Sequence, residues 1–372
     1  MTNFPASFTE KLQQRQHNSS LRKLPQPNTL VDFSSNDYLG LAHSEVLFGK
    51  VHEFLAQRNI GQSGATGSRL LSGNYPLYEE VESHIAAFHQ SESALVFNSG
   101  YDANLGLFGA ITNREAVILY DEYSHASIRD GIRLSSAKSY KFKHNDLQDL
   151  TRKLQTLADP NHDVFVVTES VFSMDGDSPD MLQLTQICSE FKAYLVVDEA
   201  HALGVFGEKG EGLVQYLGLE QQVFARIMTF GKALGCHGAA ILGSNQLKEY
   251  LVNFSRSFIY TTALPPHSLA TILVSYQQLE KARAAREKLQ QNINLFNELF
   301  NTTTVSPIKS IIVSGNNNVK QKALQLQQSG FDVKPILSPT VPEGKERLRF
   351  CLHSYNTAEE IKTVASLFLE TV

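Results

Sequence analysis

The sequence predicts an α/β protein: a large domain on a mostly parallel sheet, followed by a smaller α+β domain. Three observations carry this. Between about Ser93 and Ser244, short and continuously apolar runs alternate with stretches of helical periodicity, the pattern of strands covered on both faces. Pro265-Pro266 then breaks the chain, and a long helical stretch leads into a short segment of alternating strand and helix patterns. Finally, 372 residues exceed what one hydrophobic core usually organises. We expect an N-terminal arm over 1–45, the large domain over 46–265, and a linking helix with the small domain over 266–372.

Taken in order, Ser19 to Leu41 reads as an irregular arm, broken by Pro25, Pro27 and the polar cluster Ser34-Ser35-Asn36-Asp37. A glycine-rich stretch, Gly61 to Ser68, runs into Arg69-Leu70-Leu71-Ser72-Gly73, and Leu77 to Phe88 has helical periodicity. The buried strands are expected at Ala94–Phe97, Ala116–Leu119, Val164–Val167, Tyr194–Val197, Arg226–Met228 and Ala239–Leu242. Leu147 to Leu157 and Met181 to Phe191 are amphipathic helices between them, and Leu269 to Phe300 is one long helical stretch. The small domain reads strand (Ile311–Val313), helix (Val319–Gln328), strand (Arg347–Leu352) and a last helix. Thr357 and Glu360 form a capping box for that helix.

Composition narrows the function classes. With 42% hydrophobic and 19% charged residues, the chain is neither disordered, nor a coiled coil, nor collagen-like. The formal charge of −5 argues against a general nucleic-acid partner. Three widely spaced cysteines, Cys188, Cys236 and Cys351, suit a reducing compartment better than a disulfide framework. No apolar run reaches the ~20 residues that span a bilayer, and Met1 to Arg22 lacks the apolar core of a secretion signal. A cytoplasmic protein without a membrane partner is expected.

In parallel sheets, ligands bind beyond the carboxyl ends of the strands, so the residues that follow each strand carry the chemistry. Asn98-Ser99-Gly100-Tyr101 is a turn into a helix, whose first amides can hold a phosphate. Tyr120 to Ser127 includes His125, and Thr168 to Asp177 is rich in hydrogen-bond acceptors. Asp198-Glu199-Ala200-His201 places an acid and an imidazole at a strand end. Thr229-Phe230-Gly231-Lys232 sets a lysine beside an apolar strand, where burial favours the neutral amine that imine formation requires. An aspartate to keep a pyridinium protonated, a lysine to form an imine and a helix start for a phosphate are the parts of a pyridoxal phosphate site. No metal enters this reading. Asp198 to His201 also spells the DEAH box of helicases, but that chemistry needs a Walker A loop, and none precedes it.

In combination these residues resemble the α-oxoamine synthases, a family of fold-type-I pyridoxal phosphate enzymes. The resemblance runs from about Leu21 to the C-terminus. It rests on Ser34 to Leu41, Asp175-Gly176-Asp177, Val197 to His201, Thr229 to Lys232, and Pro339-Thr340-Val341-Pro342. It implies a fold-type-I PLP-dependent transferase, acting as a homodimer with shared active sites on an amino acid and an acyl thioester. The first signature favours the branch that joins L-alanine to pimeloyl-CoA, or to pimeloyl on an acyl carrier protein, with loss of CO₂. The product would be the biotin precursor 8-amino-7-oxononanoate.

By the same resemblance, Lys232 carries the cofactor covalently and shuttles the α-proton. Asp198 pairs with the ring nitrogen, His201 and Ser173 contact the ring oxygen, and His125 stacks on the ring. Gly100, Tyr101 and Thr229 hold the phosphate, with Thr261 or Thr262 reaching that of the neighbouring subunit. Asn36 and Arg349 bind the amino-acid carboxylate, and Arg22 and Thr340 belong to the substrate site.

Two positions depart from the family pattern. Tyr78 stands where many members have histidine. Leu337 replaces an arginine that some members of the alanine branch carry, which removes one partner for a distal acyl carboxylate and leaves Arg22 to serve. Related readings are a glycine–acetyl-CoA or serine–palmitoyl enzyme of the same family, and a non-catalytic homologous subunit. Lys232 with Asp198 and His201 argues against the last, and the Ser34 to Leu41 and Pro339 to Pro342 signatures argue against a plain aminotransferase.

Overall fold

The computed structural model describes residues 4–24, 26–111, 113–159 and 161–370; Pro25, one of the arm-breaking prolines, lies outside them. Seven strands form the main sheet: β1 (Ser93–Phe97), β2 (Val117–Asp121), β3 (Lys138–Phe142), β4 (Val164–Glu169), β5 (Tyr194–Asp198), β6 (Ala225–Thr229) and β7 (Ala239–Gly243). Their order is β1-β7-β6-β5-β4-β2-β3. The run from β6 to β3 is parallel throughout, and β7 alone runs antiparallel to both its neighbours. As a result β1, β2, β4, β5 and β6 all end on the same edge.

All six strands expected from the sequence form, because their apolar runs are buried on both faces. Leu95, Ile118, Val167, Val196 and Ile227 point into one core, with the helices Gly100–Gly109, Ala126–Leu134 and Asn245–Phe254. Leu119, Val166, Leu195 and Val197 face the other, covered by Leu147–Leu157 and Met181–Glu190. Strand β3 is the addition. Four of its five residues are exposed, and a polar, lysine-bearing strand of this kind protects a sheet edge without leaving an apolar signature.

The residue contacts divide the chain into two compact units. One comprises Asn36–Ser173 with Asp177–Lys288, and holds the main sheet. The other gathers the residues up to Ser35, Met174–Gly176 and the residues from Leu289 onward. Within it Ile308–Ile312, Arg347–Cys351 and Lys334–Ile336 form an antiparallel sheet with Arg347–Cys351 in the centre. Val31–Asp32 pairs in parallel with Phe331–Asp332. The Thr357–Glu360 capping box is present at the start of Ala358–Leu369. A helix not expected from the sequence, Ala6–His17, buries no residue.

One expectation needs correcting: Leu269 to Phe300 is not one helix. It divides into Pro266–Lys281 and Arg283–Phe300. The guanidinium of Arg286 donates to the Leu279 carbonyl at 2.7 Å and to that of Glu208 at 2.5 Å, so a side chain satisfies a last-turn carbonyl and the first helix can end. No helix among the described residues is long and apolar enough to cross a membrane.

Glu82, 4% exposed, anchors the helix Pro76–Phe88 to β1. It accepts from the Val96 amide at 2.9 Å, from Lys248 at 2.8 Å and from Arg69. Removing one partner of a buried ion pair leaves the other charge uncompensated. Glu82→Ala should therefore destabilise the protein by about 3 kcal/mol, read as a lowered midpoint in urea denaturation.

Candidate active site

The strand ends converge on a cleft of about 260 Å³. A larger one, about 1170 Å³, lies in the other unit beside the N-terminal helix. No histidine lines the larger cleft, whereas the smaller one holds acids, imidazoles and a lysine. Chemistry therefore favours the smaller.

At the end of β1, Ser99 caps the helix Gly100–Gly109, its Oγ accepting the Asp102 amide at 3.1 Å. Gly100 permits close approach: a Cβ there would meet Thr229 Cγ2 at 2.4 Å. Thr229 Oγ1, at the end of β6, is buried with no hydrogen-bond partner among the described residues. A helix start, a bare backbone and an orphaned hydroxyl together suit an anion such as a phosphate.

Asp198 ends β5 and is 5% exposed. Its Oδ1 accepts the Ala200 amide and its Oδ2 accepts Asn104 Nδ2, both at 2.9 Å. Neither donor is charged. A buried carboxylate in this setting favours a cation in the cleft, as a protonated ring nitrogen provides.

Lys232 Nζ lies 2.9 Å from His201 Nε2, and His201 Nδ1 lies 2.7 Å from the hydroxyl of the buried Tyr38. Tyr38 in turn donates to Asn36 Oδ1 at 3.2 Å. The lysine loop bends at Gly235. Its φ is +64°, and a Cβ there would lie 2.2 Å from Ala42 N, so only glycine fits.

His125 caps the helix Ala126–Leu134 and remains open to the cleft, with Nδ1 2.7 Å from Ser127 Oγ. Burial lowers its pKa below the ordinary histidine value, against the pull of Asp198. Its backbone amide donates to Glu169 Oε1 at 2.6 Å. Burial, reinforced by the charge of Asp198, pushes the Glu169 carboxyl up to about 8, so this acid holds its proton near neutrality.

Of the residues singled out in the sequence, Asn36, Gly100, Tyr101, His125, Asp198, His201, Thr229 and Lys232 line the cleft together. Ser173, Thr261 and Thr262 are not among its lining residues. Asn98 Nδ2 holds the threonine segment, donating to Thr261 Oγ1 at 3.0 Å and to the Thr262 carbonyl at 2.8 Å. Arg22, Thr340 and Arg349 belong to the other unit, where Arg22 donates to Thr340 Oγ1 at 3.3 Å. Tyr78, a departure from the family pattern, is buried and accepts the Leu264 amide at 2.8 Å.

Sequence reasoning missed the roles of Tyr38, Asn104 and Glu169. Tyr38 lay inside a quoted signature and Glu169 inside the acceptor-rich loop. Asn104 left one signal, a polar residue on the buried face of its helix.

The chain is similar to known proteins over most of its length. The family model for aminotransferase class I and II matches residues 28–368. An 8-amino-7-oxononanoate synthase of Emericella nidulans is 41% identical over 386 residues, covering 95% of this chain and 92% of that protein. The structure of Francisella tularensis 8-amino-7-oxononanoate synthase aligns with a TM-score of 0.79 and 31% identity, over 93% of this chain and 98% of that one. A serine palmitoyltransferase variant from S. paucimobilis, with a bound PLP–myriocin aldimine, gives a TM-score of 0.89 at 26% identity, over 98% and 96%.

The chain belongs to the class I and II aminotransferase family, with the fold-type-I architecture of its pyridoxal phosphate enzymes. Within it, the chain is a PLP-dependent acyltransferase of the α-oxoamine synthase group, most like the 8-amino-7-oxononanoate synthases. Pyridoxal phosphate is its cofactor, and the orphaned Thr229 hydroxyl, the bare Gly100 and the buried Asp198 carboxylate fit that group.

Two outcomes follow from this geometry. Gly100→Ala should weaken pyridoxal phosphate binding by about tenfold or more, about 1.4 kcal/mol, measured by absorbance titration of cofactor into the cofactor-free protein. Glu169 concerns pH. Its folded pKa of about 8 lies above the ordinary 4.5, so the stability it contributes is full below about 4.5 and is lost as pH rises toward 8. Glu169→Gln, which does not titrate, should flatten the fall in melting temperature of the cofactor-free protein across that window.

Proposed function

We propose that this enzyme condenses L-alanine with pimeloyl-CoA, or with pimeloyl on an acyl carrier protein, releasing CO₂ and the thiol to give 8-amino-7-oxononanoate for biotin synthesis. The observation that carries the reading is the strand-end cleft holding Asp198, His201 and Lys232, in a chain 41% identical to a relative of that name.

Pyridoxal phosphate, when bound, supplies an electron sink for negative charge at the amino-acid α-carbon. The chain's own residues do the rest. Gly100, Tyr101 and Thr229 would hold the phosphate, and Asp198, fixed by Asn104 and Ala200, would hold the ring nitrogen protonated. His125 would cover the ring, and His201, with Ser173 by the family resemblance, would contact the ring oxygen. Lys232 carries the cofactor and moves the α-proton on and off the substrate carbon, a positioned base contributing roughly 10²–10⁴-fold. Its 2.9 Å contact with His201 keeps Nζ aimed into the cleft.

Asn36 and Arg349 are assigned to the amino-acid carboxylate, and Arg22 and Thr340 to the substrate site, on the family resemblance. The working form is a homodimer in which Thr261 or Thr262 serves the partner's phosphate. These substrate roles are assigned to the arm expected over 1–45 and to the C-terminal region expected over 266–372, in a cytoplasmic enzyme. The likeness to serine palmitoyltransferase keeps serine with a long-chain acyl thioester as the second reading.

Purified protein assayed with alanine, glycine and serine, each against pimeloyl, acetyl and palmitoyl thioesters, decides between them. Alanine with a pimeloyl thioester should give the highest kcat/KM; inactivity with both pimeloyl-CoA and pimeloyl carrier protein would defeat the reading. Lys232→Ala should lose turnover and the yellow absorbance of the linked cofactor, and an unchanged spectrum would sink the lysine assignment.

A further inference from the structure

His144 is not among the residues that line the cleft. Its ring is fixed on every side. Nδ1 is 2.9 Å from Asp121 Oδ1 and Nε2 is 2.8 Å from Asp177 Oδ2. Tyr123 stacks on it at 4.3 Å and Phe172 meets it edge-on at 4.5 Å. Neither ionised carboxylate can donate, so both contacts are hydrogen bonds only when both ring nitrogens carry protons. The neighbouring Asn145 joins the same pair, its amide donating to Asp121 Oδ2 at 2.9 Å and its Nδ2 to Asp177 Oδ2 at 2.7 Å.

The consequence reaches the cleft through the turn after β2. Asp121 Oδ1 also accepts the Tyr123 amide at 2.8 Å, and its carbonyl accepts the Ser124 amide at 3.0 Å. The next residue is His125. On the loop after β4, the Asp177 carbonyl accepts the Phe172 amide at 2.9 Å, one residue before Ser173. The two carboxylates thus belong to the loops that carry His125 and Ser173, and one cation joins them.

We propose that His144 is a positioning residue, an imidazolium that bridges the Asp121 and Asp177 carboxylates, offsets one of their two charges and so fixes the turn presenting His125 to the cofactor. The reading deepens the proposed function of the same site, and part of its test needs no substrate. Other charged groups face this cluster. Glu122 accepts the His144 amide at 3.2 Å, and Lys141 lies 3.9 Å from Glu122; Tyr123 contributes its ring face. Burial opposes the imidazolium charge, but the hydrogen bonds and charges of Asp121 and Asp177 outweigh it and push the pKa to about 10.

The first test uses the holoenzyme with ¹⁵N-labelled histidine, His144 being assigned by its loss in His144→Gln. Near about pH 8, where an ordinary histidine is neutral, both His144 ring nitrogens should remain protonated. A single unprotonated nitrogen there would overturn the proposal whatever the substrate is. The second test compares His144→Gln with the double variant His144→Gln/Asp177→Asn. The single variant leaves two carboxylates facing one another. It should lower kcat by about tenfold or more with KM for alanine within about threefold, and it should change the visible circular dichroism of the bound cofactor. Removing one carboxylate should restore both signals. A double variant as impaired as the single one would reduce His144 to packing and overturn the charge argument, as would a single variant that matches wild type. Should His144→Gln fail to fold, selective labelling with Asp177→Asn as the assignment variant keeps the first test intact.

Discussion

A carboxylate buried at the end of β5, held by neutral donors among the described residues, is the constraint around which this enzyme is arranged. Asp198 is fixed by an amide of its own turn and by Asn104 from the facing helix. Two neutral donors satisfy its lone pairs but do not cancel its charge. Burying a charge without a counter-charge in contact is costly, so the cleft is electrostatically prepared for a cation at one place. The same charge helps keep the nearby Glu169 protonated and opposes the loss of positive charge from His125. Burial thus gives both neighbours the direction of their shift, and this one aspartate reinforces the first and opposes the second before any ligand arrives.

The opposite end of the cleft is prepared by absence. Gly100 has no side chain where a Cβ would strike Thr229, and the Thr229 hydroxyl has no partner among the described residues. An anion placed there finds backbone amides and a hydroxyl already desolvated, so little reorganisation is required on binding. The distance between the cation site and the anion site is fixed by neighbouring strands, which is why a sheet rather than loops carries them.

Much of this was legible in the sequence, for physical reasons that also explain the gaps. Strands β1, β2, β4, β5, β6 and β7 announce themselves because both faces are buried, so their apolar runs are unbroken. Strand β3 does not, since an edge strand of lysine, serine and tyrosine looks like a loop. The division of Leu269 to Phe300 has no glycine or proline to mark it: the helix ends with the Ala282 amide turning back to the Leu279 carbonyl, which the Arg286 side chain also meets. Gly100, His125, Asp198, His201, Thr229 and Lys232 were readable from their position after strands. Asn104 and Tyr38 were not, because each acts through another side chain, and sequence spacing does not record which side chain a buried polar atom meets.

The site finally separates groups that must stay still from the one that must move. Asp198 is locked by two hydrogen bonds and His125 by its capping contact and the Glu169 carboxyl. Lys232 is different: it is half-buried, it follows Gly231, and its loop turns at Gly235. Its Nζ meets the His201 imidazole, a ring that can hold it in the cleft without the strong grip of a carboxylate. In the role we propose for it, this amine carries the cofactor, releases it to an amino acid and then handles a proton, which needs several positions for one atom. Charge stabilisation needs the reverse, because a dipole or carboxylate that relaxes gives back the preorganisation it supplies. Rigid strand ends for the charges and a glycine-flanked loop for the lysine meet both demands within one cleft.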